Sequence, residues 1–120
     1  MVKIAPSILS ADYSILEKEV IGIDQAGADY IHIDIMDGHY VPNITFGTST
    51  VETLRTLTNK VLDVHLMISP VLKHIEKFTK AGADIISFHP EADPEPLKVI
   101  NLIRNLNCKP GIAIHPNINI

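Results

Sequence analysis

The 120-residue sequence predicts an α/β fold in which parallel strands alternate with helices. Two observations carry this prediction. Short runs rich in β-branched residues alternate with amphipathic stretches at helical spacing, and capping residues, glycines or prolines stand at most junctions. The strand runs also contain apolar residues on both faces, which is typical of parallel strands in a sheet that is covered on both sides.

The first half of the chain predicts two strand–helix units and a third strand. We expect strands over residues 2–9, 30–36 and 61–67. The first helix is predicted to start at Ser14, where Glu17 completes a capping box, and to end at Gly27 in a left-handed cap. The second helix has Ser49 and Glu52 as its capping box. Its inward face is formed by Val51, Leu54 and Leu57.

The second half predicts two more helices and two more strands. Helix three is expected to open with Ser69 as N-cap and Pro70 at the first helical position, and to stop at Gly82. A strand over residues 85–88 leads to helix four, which opens with Asp93 and Pro94 in the same way. The apolar positions of helix four are Leu97, Ile100, Ile103 and Leu106. A fifth strand is expected over residues 111–114.

An internal repeat favours a barrel over an open sheet. Residues 25–31 (QAGADYI) resemble residues 80–86 (KAGADII), and each segment marks a helix end that leads into a strand. Repetition of a βα unit is typical of a (β/α)8 TIM barrel. A doubly wound open sheet is the alternative, but residues 9–12 (LSAD) lack its glycine-rich turn. We predict that residues 1–120 form the N-terminal part of a single (β/α)8 TIM barrel domain, with four βα units and a fifth strand.

Polar and thioether side chains lie near the predicted carboxyl ends of the strands, which form the active-site face of a βα barrel. They are Ser7, Asp34, Met36, Asp37, His65, Met67, His89 and His115. In the register of the repeat, His89 occupies the position of Asp34. Asp37 and Gly38 have the composition of a turn.

Two of these strands predict a metal centre. Side chains alternate between the faces of a strand, so His32, Asp34 and Met36 share one face, as do His65 and Met67 on the next strand. Two imidazoles and a carboxylate suit a divalent zinc, iron, manganese or cobalt ion. Asp34 is also placed to remove a proton α to a carbonyl. The alternative interpretation is that these histidines are hydrogen-bonded core residues and the methionines simply pack.

Composition excludes several classes of function. The net charge is −4 and the basic residues are scattered, which argues against nucleic acid as a partner. No apolar run is long enough to span a membrane. The single cysteine, Cys108, excludes an intrachain disulfide and is interpreted as a structural thiol. We therefore expect a reducing, cytoplasmic location.

Three motifs resemble the ribulose-phosphate 3-epimerase family: residues 5–12 (APSILSAD), 32–43 (HIDIMDGHYVPN) and 63–67 (DVHLM). The resemblance runs over essentially the whole chain. It implies a (β/α)8 barrel that binds a pentulose 5-phosphate. It also implies epimerisation at C3 of D-ribulose 5-phosphate to D-xylulose 5-phosphate through an enediolate, in the pentose phosphate pathway.

The resemblance also assigns roles to residues. It implies one divalent metal ion held by His32, Asp34 and His65, with Asp34 as the catalytic proton acceptor. Substrate-binding positions are Ser7 and His65, and the pocket-lining positions are Met36 and Met67.

Parts of the family's pattern have no counterpart in these residues. The resemblance implies a second Asp on a later strand, as fourth metal ligand and opposite-face acid, and glycine-rich phosphate-binding turns. We therefore expect the chain to be the N-terminal portion of a longer protein, incomplete for catalysis by itself, and the full-length protein to be a homo-oligomer. Two alternatives remain: a related 3-epimerase of a hexulose 6-phosphate such as allulose 6-phosphate, or a non-catalytic half-barrel that binds metal.

Overall fold

The computed structural model describes residues 1–119, which contain a parallel sheet of four strands. The strands are β1 (Tyr30–Met36), β2 (Val61–Met67), β3 (Ile85–Phe88) and β4 (Lys109–Ile112). The α-helices are α1 (Leu16–Gln25), α2 (Thr48–Leu57), α3 (Ile75–Ala81) and α4 (Pro96–Asn105). Short 3-10 turns lie at Ile8–Ser10, Tyr13–Ile15, Leu72–His74 and Pro90–Ala92.

The strands lie in the order β1-β2-β3-β4, and each pairs in parallel with the next. A helix connects each strand to its neighbour, as parallel pairing requires. Sequential strand order belongs to a barrel segment, whereas a doubly wound sheet reverses its order at a switch point. The α/β prediction is confirmed, and the order is that of a partial TIM barrel.

One face of the sheet carries the core. Along β1, Ile31, Ile33 and Ile35 are buried, while the side chains between them are half-buried. The buried set packs against apolar residues of all four helices: Val20, Val51, Leu54, Ile75, Phe78, Val99 and Ile103. Complete coverage of both faces was expected, but within residues 1–119 the helical face is buried along β1, β2 and β3 and not along β4, and the opposite face is only half-buried. The other face holds the polar side chains.

The first predicted strand, residues 2–9, does not form a regular strand. The N–H of His32 donates to the carbonyl of Pro6 at 2.9 Å, and Ser7 forms an isolated parallel bridge with His32. Pro6 has no N–H to donate, and the N–H of Ile4 donates to the carboxylate of Asp29 instead. The segment therefore lies alongside β1 without a continuous ladder.

The predicted starts of the first two helices are wrong. Asp12, rather than Ser14, provides the cap: its carboxylate accepts the N–H of Ser14 at 3.0 Å and opens a 3-10 turn, so α1 begins at Leu16. The second helix begins at Thr48, which places Ser49 inside it. Neither helix has a side-chain cap on its first turn, so neither predicted capping box forms.

The starts of the last two helices are also displaced. Ser69 is not an N-cap, because a 3-10 turn follows it and α3 begins only at Ile75. The fourth helix begins at Pro96 rather than at Pro94. Asp93, predicted to open that helix, instead accepts N–H groups of the loop after β2 as well as one on its own loop. Asp93 therefore connects two loops, and neither Ser69 nor Asp93 caps an α-helix.

The predicted helix ends agree with the structure better than the predicted starts do. Gly27 and Gly82 have φ values of +91° and +120°, in the region that favours glycine. In α4 the buried positions are Val99 and Ile103, while Leu97 is exposed. The last strand ends two residues before its predicted end.

No helix within residues 1–119 is both long and apolar enough to cross a membrane.

Cys108 has the surroundings of a structural thiol, as predicted. It is buried, and its Sγ lies 3.5 Å from the carbonyl oxygen of Ala83. Burial raises the pKa of this thiol to about 11, which keeps it protonated and unreactive near neutral pH.

Candidate metal centre

The centre lies on the half-buried face of β1 and β2. The strand register pairs Asp34 with His65 and Met36 with Met67. Because residues two apart share a face, His32 stands next to Asp34 on this side of the sheet. Parallel pairing thus brings together side chains that are about thirty positions apart in the sequence.

The distances between the donor atoms fit a divalent metal ion. Oδ1 of Asp34 lies 3.1 Å from Nε2 of His32 and 3.4 Å from Nδ1 of His65. One donor atom from each residue lies within 4.8 Å of the other two. Ligand atoms that are each about 2.1 Å from one ion stand about 3.0–3.4 Å apart in octahedral and tetrahedral sites. The three predicted ligands can therefore hold one ion.

Asp63 orients the first histidine. It pairs with His32 in the register of β1 and β2, and its Oδ2 lies 2.8 Å from Nδ1 of His32. A proton on Nδ1 is donated to this carboxylate, so Nε2, which faces Asp34, is the nitrogen left to bind a metal ion. The hydrogen bond to Asp63 raises the pKa of His32, with burial opposing it and the charge of Asp34 adding to it.

Sequence reasoning assigned no role to Asp63. The available signal was its position two residues before His65, on the same strand face. Its contact with His32 became visible only when the register placed the two residues opposite each other.

The second histidine has a different partner. Nε2 of His65 lies 2.9 Å from Nε2 of His89, which follows β3. Burial, and then the neighbouring His89, lower the pKa of His65, and burial lowers that of His89. Both rings are thus biased toward the neutral form in which imidazole binds metal. The repeat placed His89 level with Asp34, but in the sheet Ser87 pairs with His65 and occupies that level.

Ser7 lies directly against the carboxylate of Asp34. Its Oγ donates to Oδ2 of Asp34 at 2.5 Å, while Oδ1 faces the two histidines. The two oxygens of the Asp34 carboxylate therefore have different partners. The structure brings Ser7 to the centre, and its contact with substrate remains a prediction.

The two methionines lie one level further along the strands. Met36 and Met67 are paired in register and half-buried, two residues beyond Asp34 and His65 on the same face. They border the centre on the side of the following loops. Their role as the lining of a pocket remains a prediction.

Asp37 and Gly38 form a turn, as predicted. Oδ1 of Asp37 accepts the N–H groups of His39 and Tyr40, both at 2.8 Å, and Oδ2 accepts that of Ser69 at 2.9 Å. Gly38 has a φ of +68°. Asp37 therefore joins the loops after β1 and β2. His115, the last of the predicted strand-end residues, lies outside the ligand cluster.

Fold and site together define a class of protein. It is an α/β protein in which two histidines and one carboxylate, placed so that they could hold a metal ion, lie on neighbouring parallel strands. A model of the ribulose-phosphate 3 epimerase family matches residues 3–120, and the chain belongs to this family.

Similar proteins of known name carry the name of the same family. The ribulose-phosphate 3-epimerase of Bacillus subtilis (strain 168) is 50% identical over 117 residues, which are 98% of this chain and 54% of that protein. The enzyme of the same name from Synechocystis sp. is 53% identical, over 95% of this chain and 50% of the relative. The chain spans about half the length of the curated relatives it matches.

A solved structure supports the fold alone. The 7,8-dihydropteroate synthase of Vibrio fischeri ES114 matches with a TM-score of 0.67 at 15% identity. The match covers 98% of this chain and 45% of that one. The same order of strands and helices thus occurs with a very different sequence.

Proposed function

We propose that this chain supplies the metal centre and the proton-accepting carboxylate of an enzyme that epimerises D-ribulose 5-phosphate to D-xylulose 5-phosphate at C3. The observation that carries the proposal is the carboxylate of Asp34, which faces both histidines through Oδ1. The names of relatives that are half identical over nearly the whole chain supply the substrate and the reaction.

The chemistry needs a base next to a C–H bond. The C3 proton of the substrate is α to the C2 carbonyl, so its removal sends the C–H electron pair to the carbonyl oxygen and produces an enediolate. Return of a proton to the opposite face of C3 gives the epimer. One divalent ion, zinc, iron, manganese or cobalt, supplies positive charge that makes the enediolate accessible.

Asp34 is the base in this proposal. Its Oδ1 faces His32 and His65 as a ligand atom, which leaves Oδ2 to accept the C3 proton. The hydroxyl of Ser7, 2.5 Å from Oδ2, holds that oxygen in place until substrate arrives and then contacts the substrate. His65 provides a second substrate contact in addition to its role as ligand.

Two further features complete the proposed site, one from neighbouring side chains and one from the family resemblance. Met36 and Met67 present apolar, polarisable thioethers beside the reacting carbons and keep water from the enediolate. The opposite-face acid is an Asp on a strand later than the four described here, as the family resemblance implies.

Proton exchange tests the function. The chain is incubated with D-ribulose 5-phosphate in D2O with zinc, cobalt, manganese or iron(II), and deuterium at C3 and xylulose 5-phosphate are followed by NMR. We expect exchange at C3 with at least one metal, and its loss in Asp34→Asn. Glu52→Gln, which removes an exposed carboxylate on α2, is the matched control. Full exchange in Asp34→Asn contradicts the proposal, and so does the absence of exchange with every metal in the longer chimera described next.

A chimera tests the same site in a longer protein. This chain replaces the matching segment of the Bacillus subtilis relative, and epimerisation is assayed with and without Asp34→Asn. An active chimera that Asp34→Asn inactivates supports the enzyme. Metal binding without turnover in the chimera favours a non-catalytic module. Preference for allulose 6-phosphate over ribulose 5-phosphate favours the hexulose phosphate enzyme.

The setting of the enzyme is part of the proposal. A cytoplasmic location is supported by the single, buried cysteine of the chain. A homo-oligomeric full-length protein is part of the same proposal. Native mass spectrometry of the full-length protein tests the oligomer, and a monomer contradicts it.

A further inference from the structure

We propose that His89 is a positioning residue that selects the tautomer of His65, so that Nδ1 of His65 is free to bind the metal ion. The proposal rests on the metal centre of the proposed function and extends it to the loop after β3. The carrying observation is the contact between the two Nε2 atoms, 2.9 Å apart.

The contact limits where the protons can be. Two imidazole nitrogens at 2.9 Å form a hydrogen bond only if one carries a proton and the other presents a lone pair. Nδ1 of His65 faces Oδ1 of Asp34 at 3.4 Å and is the nitrogen on the metal side. A neutral ring that binds metal through Nδ1 carries its proton on Nε2. His65 is therefore the donor and His89 the acceptor.

The position of His89 is held by its neighbours. Its ring lies edge to edge with that of His65, with centroids 5.1 Å apart and an interplanar angle of 29°. The ring of Tyr40, from the loop after β1, lies on it with a centroid distance of 5.3 Å. The hydrogen bond is thus presented to His65 by a buried side chain that two aromatic rings restrain.

The second nitrogen of His89 completes the assignment. Acceptance at Nε2 places the proton of this ring on Nδ1, which is buried without a hydrogen-bond partner among the described residues. Oε1 of Glu91 lies 3.6 Å from this Nδ1, which is too far for a hydrogen bond. The negative charge of the carboxylate still favours a proton on Nδ1. Glu91 is itself held by the hydroxyl of Tyr40 at 2.5 Å. A line of contacts therefore runs from Tyr40 through Glu91 and His89 to His65.

Both histidine ligands then have a partner that fixes their tautomer. Asp63 accepts from Nδ1 of His32 and leaves Nε2 for the metal, while His89 accepts from Nε2 of His65 and leaves Nδ1. Replacement of such partners typically lowers metal affinity by about 10- to 100-fold.

Cobalt(II) titration followed by visible absorption measures the effect on this chain. His89→Leu removes the acceptor, whereas His89→Gln keeps an amide oxygen that can accept from Nε2 of His65. We expect the affinity for cobalt to fall about 10- to 100-fold in His89→Leu and to stay within about threefold of wild type in His89→Gln. His39→Leu, the same change at an exposed histidine outside the ligand cluster, is the control and should leave the affinity unchanged.

A nitrogen NMR measurement gives a readout that a purely structural role would not move. In the zinc-loaded wild-type chain with 15N-labelled histidine, we expect His65 to show a protonated Nε2 and a zinc-bound Nδ1. A zinc-bound Nε2 overturns the proposal. This measurement decides the question even if His89→Leu fails to fold.

The outcomes separate this proposal from the metal centre on which it rests. A wild-type chain that binds no cobalt contradicts the centre itself. A wild-type chain that binds cobalt, with His89→Leu binding equally well, contradicts only the role of His89. Equal losses in His89→Leu and His89→Gln also overturn it, because the retained acceptor should preserve binding.

Discussion

Replacement of Asp93 by asparagine is expected to lower the free energy of unfolding by about 3 kcal/mol at pH 7. Asp93 is only 6% exposed. Its Oδ2 accepts the N–H groups of Val71 and Leu72 at 2.8 and 2.7 Å, and its Oδ1 accepts that of Glu95 at 2.9 Å. Asparagine has one acceptor oxygen, so its amide nitrogen opposes a donor. Loss of one charge-assisted bond costs about 2 kcal/mol, and weakening of the other two supplies the rest.

The stability lost in Asp93→Asn should depend on pH, and the direction of this dependence follows from the pKa of Asp93. Burial acts to raise the pKa of Asp93, but the backbone donors of Leu72, Glu95 and Val71 outweigh it and lower the pKa. A carboxyl group whose pKa is lower in the folded state stabilises the protein above its unfolded pKa of about 3.9. That stabilisation is lost as pH falls through the folded pKa. The difference between wild type and Asp93→Asn should therefore be constant near neutral pH and shrink below about pH 4.

Urea unfolding followed by circular dichroism, at pH 7 and at steps down to about pH 2.5, measures this difference. Asp12→Asn is the control, because Asp12 accepts the N–H of Ser14 at the surface, and its loss should be much smaller. The reasoning is refuted if Asp93→Asn unfolds like wild type at pH 7. It is equally refuted if the difference between the two proteins is the same at pH 7 and pH 2.5.

Three further changes test other parts of the structure. Asp63→Leu should weaken cobalt binding about 10- to 100-fold in a titration, while Asp63→Asn, which still accepts from His32, should weaken it less. Ile33→Ala should lower the free energy of unfolding in urea by about 2–5 kcal/mol, because this side chain is fully buried. Gly82→Ala should lower it by more than about 1 kcal/mol, since φ is +120° and a Cβ would lie 2.7 Å from Cδ of Arg55.

Each of these expectations can fail in a distinct way. Unchanged cobalt affinity in Asp63→Leu would show that the carboxylate does not orient His32. A loss of less than about 1 kcal/mol in Ile33→Ala would contradict close packing behind the sheet. Wild-type stability in Gly82→Ala would show that Arg55 moves aside at no cost. Glu52→Gln, on the exposed face of α2, serves as the common control.

The strands and the grouping of the candidate ligands were predictable because their signal is local. Three of the predicted strands, residues 30–36, 61–67 and 85–88, have the bounds that the structure shows. Alternation with period two both defines a strand and assigns its side chains to a face. It therefore placed His32 with Asp34, and His65 with Met67, before any pairing was known.

The helix starts were not predictable in this way, since none of the four described α-helices begins at a side-chain cap and other side chains bind N–H groups in the turns before α1 and α3. Ser14 and Ser69 have the local pattern of N-caps, but the carboxylates of Asp12 and Asp93 take the N–H groups near these positions. A local pattern shows that a cap is available. It does not show whether a side chain two residues or twenty residues away binds the same donors more strongly.

The sequence by itself determined the α/β class, the face of each central strand and the residue types of a candidate metal centre. Only the tertiary structure decided which neighbours complete that centre. The register of β1 and β2 placed Asp63 opposite His32, and the loop after β3 carried His89 back to His65. The physical reason is that alternation along a strand depends on local backbone geometry, whereas contacts between strands depend on register and loop conformation, which packing of the whole sheet selects.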